Sequence, residues 1–235
     1  TWKLKEGVVD SSPLSDTPRP GNAKFKKLTP VDPNSTNPYQ LTEADRTVIG
    51  NTTPKFSGGF GLNATYKGFD MSMFFNFMYD FDVLNANKIM LTTWADNKEN
   101  NFLMDIASDK RWRNFDDMGN EIRYSPEVLA EFNKNATMWN PTSIGRPICM
   151  SYAVEDGSFL RLNSATLGYT LPSVWTKKVG LSKVRFYVSG NNLFTLTGYS
   201  GYDPEVNIAT GLTPNIDYNR YPRSRTYTFG AQLTF

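Results

Sequence analysis

From residue 56 the chain alternates. Phe56, Gly58, Phe60, Leu62, Ala64 and Tyr66 hold one parity, and Ser57, Gly59, Gly61, Asn63, Thr65 and Lys67 hold the other. Apolar positions set against small or polar ones at period two predict a strand with two chemically different faces. The run exceeds the usual strand of about five or six residues. It suits the roughly nine to eleven residues that a tilted strand needs to cross a bilayer. Lys67-Gly68 then predicts a tight hairpin, since glycine supplies the positive φ such a turn needs. In the next run Phe69, Met71, Met73, Phe75, Phe77, Tyr79 and Phe81 form a wholly apolar face. Asp70, Ser72, Phe74, Asn76, Met78, Asp80 and Asp82 lie opposite.

Periodicity returns at Ser158. Phe159, Ala165, Leu167, Tyr169 and Leu171 share one parity, but Leu160 and Leu162 hold the other, and this switch near Asn163 predicts a bulge or a strand whose upper part changes environment. A further strand carries Val184, Phe186, Val188, Phe194 and Leu196 against Arg185, Tyr187, Ser189, Asn191 and Thr195. The last carries Tyr227, Phe229, Ala231, Leu233 and Phe235 against Thr226, Thr228, Gly230, Gln232 and Thr234.

Between the strands the pattern is lost. Residues 1–54 are rich in proline, including Pro13, Pro18, Pro20, Pro30, Pro33 and Pro38, and read as a long ordered loop or a disordered linker. Residues 82–157 predict helix over about Asn85–Trp112, anchored by Ile89, Met90, Phe102, Leu103 and Ile106. A shorter helix is expected after Pro126, with Val128, Leu129 and Phe132 on one side. Residues 198–224 form a third long loop.

Five strands are therefore expected, at about 55–67, 69–81, 158–170, 183–197 and 225–235, joined by alternately short and long connections. In antiparallel order every short turn falls at one end and every long loop at the other, which is how outer-membrane barrels are built. Five strands are too few for closure, and open edges are not tolerated in hydrocarbon, so the strands are expected to belong to a larger barrel. A soluble β-sandwich with large insertions remains the alternative, because a second sheet would cover the apolar face as well as lipid does.

Composition narrows the chemistry. Lys and Arg number 25 against 23 Asp and Glu, which gives nucleic acid no basic field to bind. The chain has no histidine, which removes Ser-His-Asp and Cys-His catalysis and His-ligated metals. Its one cysteine, Cys149, removes disulfide frameworks and Cys-rich zinc sites. Asp116-Asp117 and Asp80 with Asp82 are the close carboxylate pairs, and nothing near them resembles a glycosidase cleft, so no catalysis and no cofactor are expected. The chain opens at Thr1 without an initiator Met or a signal-peptide pattern, and the strand count favours a piece of something longer over a processed chain.

Several segments carry a family likeness. Asp156-Gly157-Ser158-Phe159-Leu160-Arg161-Leu162, Thr166-Leu167-Gly168-Tyr169-Thr170-Leu171-Pro172, Val184-Arg185-Phe186-Tyr187-Val188-Ser189-Gly190 and Asn192-Leu193-Phe194-Thr195 resemble the C-terminal region of SusC/RagA-type TonB-dependent transporters. So do Tyr199-Ser200-Gly201-Tyr202-Asp203-Pro204-Glu205-Val206-Asn207, Tyr221-Pro222-Arg223, the terminal strand, Arg19-Pro20-Gly21, Asp45–Gly50 and Pro54-Lys55-Phe56.

The resemblance implies an all-β fold: the C-terminal antiparallel strands of a 22-stranded outer-membrane barrel, with long, partly helical extracellular loops and an N-terminal plug. It implies an outer membrane of the Bacteroidetes type, a SusD-like surface lipoprotein as lid, energy from TonB through an N-terminal part, and oligosaccharide or peptide substrates. On that reading residues 1–54 are extracellular, 55–81 a transmembrane hairpin, 82–157 a long extracellular loop, and 158–235 the last three strands with extracellular loop 198–224. Relatives resemble one another in a calcium-loop-like stretch where this chain reads Leu28-Thr29-Pro30-Val31-Asp32-Pro33-Asn34-Ser35, so no metal is expected there.

The candidate contact residues lie in the loops. Tyr199, Tyr202, Asp203, Tyr218 and Arg220 would bind substrate or partner, or would pack the loop onto the rim, with packing favoured for Tyr199–Pro204 because that motif is family-wide while substrates differ. Trp94, Trp112 and Trp139 would stack on a ligand or bury against the lid, or else form the core of their loop, which is the simpler reading. Tyr169 and Trp175 suit an aromatic girdle. Terminal Phe235 resembles the signal read by the barrel-assembly machinery.

Overall fold

A computed structural model describes residues 9–10, 19–93, 101–106, 109–143, 148–206 and 214–235. The chain divides into two units, Gly50–Asn85 with Val154–Phe235, and Thr1–Ile49 with Ala86–Ala153.

The first unit holds the sheet. Strands β1 (Phe56–Tyr66), β2 (Phe69–Tyr79), β5 (Phe159–Thr170), β6 (Lys183–Thr197) and β8 (Thr226–Thr234) form one five-stranded sheet in the order β1-β2-β5-β6-β8, every pair antiparallel. Each expected strand is present, within one residue of its expected ends except for the end of β2, which falls two residues short. Lys67 and Gly68 join β1 to β2 with φ of 46° and 89°, the double positive φ of a two-residue hairpin turn.

The bulge is where the parity switch put it. Phe74 faces Ser164 and Phe75 faces Leu162, which leaves Asn163 without a partner on β2. That one extra residue turns Leu160 and Leu162 onto the face that Ala165, Leu167 and Tyr169 occupy further down. The register then aligns Phe60, Phe75, Leu162 and Phe194, and likewise Leu62, Met73 and Ala165. One face is apolar on all five strands. Phe60 and Phe75 stack at 4.9 Å and Phe69 meets Tyr169 at 4.5 Å. Phe56, Leu62, Tyr66, Leu167, Phe186, Leu196, Tyr227, Phe229 and Leu233 on this face are all exposed.

The other face is mostly polar, and its rows differ. Arg185 grips Asp70 with two bonds, Nε to Oδ1 at 2.9 Å and Nη2 to Oδ2 at 2.5 Å. The bridge passes over Gly168, where a Cβ would collide with both side chains. At the long-loop end, Met78 and Phe159 are covered by Phe81, Val83, Tyr199 and Val206, which form the core of this unit. A small sheet lies in that region: β3 (Asp82–Asn85) pairs antiparallel with β4 (Val154–Asp156) and parallel with β7 (Ile216–Asp217).

The second unit is irregular. The expected helix over Asn85–Trp112 is replaced, among the described residues, by α1 (Ala86–Met90) and a single 3₁₀ turn at Met104–Ile106. Thr92 Oγ1 donates to Lys88 O at 2.7 Å and Thr93 Oγ1 to Ile89 O at 3.0 Å, which satisfies the last carbonyls of α1 from side chains and ends it. The helix after Pro126 exists as α2 (Pro126–Phe132), but only Leu129 of its expected apolar side is buried; Val128 and Phe132 are exposed. Asn133 at its end accepts from Arg113 N at 2.6 Å and donates to Arg113 O and Leu129 O at 2.9 and 2.8 Å.

Residues 19–54 form no strand, and their order comes from Asp45. Its carboxylate accepts from Leu28 N at 2.9 Å, Thr29 N at 2.7 Å, Thr29 Oγ1 at 2.8 Å and Thr42 N at 2.9 Å, with Lys27 Nζ at 3.3 Å. The Thr29 amide first, then Thr42 and the other Thr29 and Leu28 donors, hold it far below the usual carboxylate range, against the opposing effect of burial.

Candidate functional site

A buried ion cluster lies in the sheet-bearing unit, where β5 meets Asp203 and Glu205. β5 places Arg161 on the polar face, 2% exposed, and its Nη2 donates to Asp203 Oδ1 at 2.5 Å. The Glu205 backbone N–H donates to the same oxygen at 2.9 Å. Arg223 closes the network with Nη2 on Glu205 at 2.9 Å and Nε near Asp203 at 3.9 Å. Burial raises the Asp203 pKa, but the Arg161 bond, the Glu205 amide and the two guanidinium charges outweigh it, so the carboxyl sits below its ordinary value.

A second set of bonds ties the loop to the small sheet. Buried Tyr199 donates its hydroxyl to Asp217 Oδ2 at 2.7 Å. Burial first, then the neighbouring Asp217 and Glu155 carboxylates, push this phenol far above its ordinary value. Ser200 donates N–H and O–H to Glu155 at 3.0 and 2.8 Å, and Asn215 Nδ2 donates to Thr52 O at 2.6 Å. Tyr199, Asp203, Pro204 and Val206 are therefore internal supports. Tyr202 is 82% and Tyr218 54% exposed, and Tyr221 is exposed beside them in sequence. Arg220 is half-buried, with a buried Nη1 that meets no protein acceptor.

The tryptophans belong to the other unit. Trp112 lies against Gly21, whose φ of 90° and close approach require glycine, and its backbone N–H donates to Met138 O at 2.9 Å. Trp139 donates Nε1–H to Thr92 O at 3.2 Å and meets Tyr152 edge-on at 4.8 Å. Trp94 falls outside the described residues. Phe235 follows β8 and is 90% exposed, and Ser182 Oγ donates to its carbonyl at 3.3 Å.

Arg161 was absent from the sequence-based candidates. Alternation marks Arg161 as lying on the polar face, but nothing local to it shows that Asp203, 42 residues away, covers it.

No protein-family model matches the chain. TonB-dependent receptor P3 of Formosa agariphila is 34% identical over 236 residues, 98% of this chain and 20% of the relative. TonB-dependent receptor P26 of the same organism is 28% identical over 250 residues, all of this chain and 22% of the relative. TonB-dependent receptor SusC of Bacteroides thetaiotaomicron is 38% identical over 88 residues, 36% of this chain and 8% of the relative. Among solved structures, the RagAB peptide importer in its closed-closed state superposes with a TM-score of 0.62 at 26% identity, over 84% of this chain and 19% of that one. The RagAB peptide transporter gives 0.60 at 27%, over 78% and 17%. The chain thus spans about a fifth of the length of the curated relatives it matches over its whole extent. In sequence and in fold the chain is a SusC/RagA-like segment of the TonB-dependent transporter kind.

Proposed function

We propose that this chain is part of the wall and outer loops of an outer-membrane TonB-dependent importer of oligosaccharide or peptide, working with a SusD-like surface lipoprotein. The reading rests on one observation. An apolar, largely exposed face runs unbroken across five registered strands, and both outer strands keep an edge without a partner among the described residues. Lipid suits that face, and further strands of a 22-stranded barrel suit those edges. Residues 55–81 then form a transmembrane hairpin and 158–235 the last three strands. Residues 1–54, 82–157 and 198–224 lie outside the cell, and Phe235 serves the barrel-assembly machinery. The polar face looks into the lumen. Tyr202, Tyr218 and Arg220 meet substrate or partner, on backbone that Tyr199 and Asp203 hold in place. TonB engages a part of the protein beyond these residues. The RagAB structures are of a peptide importer, which keeps peptide beside oligosaccharide as the substrate class. The chain's work is binding and passage, with no reaction of its own.

Met73→Arg tests the reading in the full-length receptor. Charge at mid-bilayer on a lipid-facing strand costs about 2–4 kcal/mol. The variant should lose heat-modifiable barrel in the outer-membrane fraction, while Thr228→Arg on the opposite face should assemble. Normal assembly of Met73→Arg together with failure of Thr228→Arg would reverse the faces and end the proposal.

A further inference from the structure

The polar face carries one row unlike its neighbours. Strand register aligns Asn63, Ser72, Thr166, Ser189 and Thr228, one residue from each strand of the sheet. All five are small and uncharged, and all bear hydrogen-bonding groups. Asn63, Ser72 and Thr228 are exposed, and Thr166 and Ser189 are half-buried. Among the described residues none of the five side chains bonds to another protein group. At about 4.8 Å per strand the row is roughly 19 Å long.

The adjacent rows are committed. Towards the short turns lies Thr65, Asp70, Gly168, Tyr187 and Gly230, where Asp70 is held by Arg185 and the Tyr187 ring occupies the space above Gly230. Towards the long loops lies Gly61, Phe74, Ser164, Asn191 and Thr226, where the Phe74 ring fills the space above neighbouring Gly59. Beyond it the buried Arg161–Asp203 cluster covers the wall. The middle row carries no charge.

A permanent protein neighbour leaves a different signature. The buried core of an interface is enriched in aromatic residues, Met and Arg and depleted in Ser. Hydroxyl and amide groups buried against a domain without designated partners would each lose hydration at a cost of about 1–3 kcal/mol. Facing water, the same groups cost nothing and can exchange hydrogen bonds with any uncharged polar chain that slides past. We infer that Asn63, Ser72, Thr166, Ser189 and Thr228 form a hydrated strip of wall along which a neutral polar substrate passes, and that no plug surface seats on them. The inference rests on the barrel reading proposed above.

Cysteine accessibility in the full-length receptor in detergent tests it. Ser72→Cys, Thr166→Cys and Ser189→Cys are made in a Cys149→Ser background, since Cys149 is exposed and would react itself. A small, charged methanethiosulfonate reagent should label all three at rates within about tenfold of native Cys149, because exposure governs thiol reaction. Phe229→Cys on the apolar face should stay unlabelled inside its detergent belt. Protection of the three row positions in assembled variants, under conditions where the wild-type receptor labels at Cys149, would mean that a protein surface covers them, which overturns the inference and leaves the barrel reading intact. Labelling of Phe229→Cys as fast as the row would instead remove the barrel reading.

Discussion

Replacing Asp203 by alanine strips the partner from a guanidinium that has almost no access to water. Arg161 is 2% exposed, its Nη2 contact with Asp203 is 2.5 Å, and its next carboxylate, Glu205, is 3.7 Å away. Breaking one side of a buried ion pair costs about 3–5 kcal/mol. Glu205 and the Phe159 ring, 5.4 Å from the guanidinium, keep the effect near the lower end, at about 3 kcal/mol. At 1.4 kcal/mol per decade, that is a rise of about 100-fold in local opening. Hydrogen exchange of the full-length receptor reads it directly. Peptides covering 199–206 should exchange about 100-fold faster, while those from β1 and β2 keep their protection. Arg161→Met alone should do comparable damage, and the double variant should cost less than the sum, because no orphaned charge remains. Strict additivity, or unchanged exchange in Asp203→Ala, would refute the claim that this pair holds the loop.

Two further outcomes follow from the geometry. Gly168→Ala should lower the thermal midpoint of the receptor in detergent, because the new methyl group occupies the space through which Arg185 reaches Asp70; adding Asp70→Ala should recover part of the loss, and equal midpoints for Gly168→Ala and wild type would dismiss the crossing. Asp45 is held below its ordinary pKa, so its contribution to the order of residues 27–45 is complete above the unfolded value of about 4 and drains away only as pH falls below that, through the lowered folded value. Protection at the Thr29 and Thr42 amides, corrected for intrinsic exchange, should be flat from pH 8 to 5, and a loss within that window would exclude Asp45 as the clasp.

The sheet was legible because its two faces differ at every second residue, and because a single out-of-step residue, Asn163, showed in the alternation. The small sheet was not legible. Its strands are four, three and two residues long, too short for a period to register. The helix expected over Asn85–Trp112 failed because apolar spacing carries no stop signal of its own; here the stop comes from the hydroxyls of Thr92 and Thr93 turning back on α1. Within the tyrosine loop, composition did not separate Tyr199 from Tyr202. One hydrogen-bonds Asp217 in the core and the other stands in solvent, a difference set by residues far along the chain. The ion cluster needed the fold outright, since Arg161 looks from sequence like any polar-face strand residue.

The pairing of β3 with β4 has an evolutionary side. Asp82, Val83 and Leu84 lie opposite Asp156, Glu155 and Val154, so the chain departs and returns at adjacent points. Once the two ends are fastened, doubling the excursion between them costs only about 0.6 kcal/mol of closure entropy. Residues 86–153 are thus a replaceable cassette. Insertions, deletions or wholesale exchange there leave the strand register as it is, and a lineage can try new surfaces without redesigning the sheet that carries them.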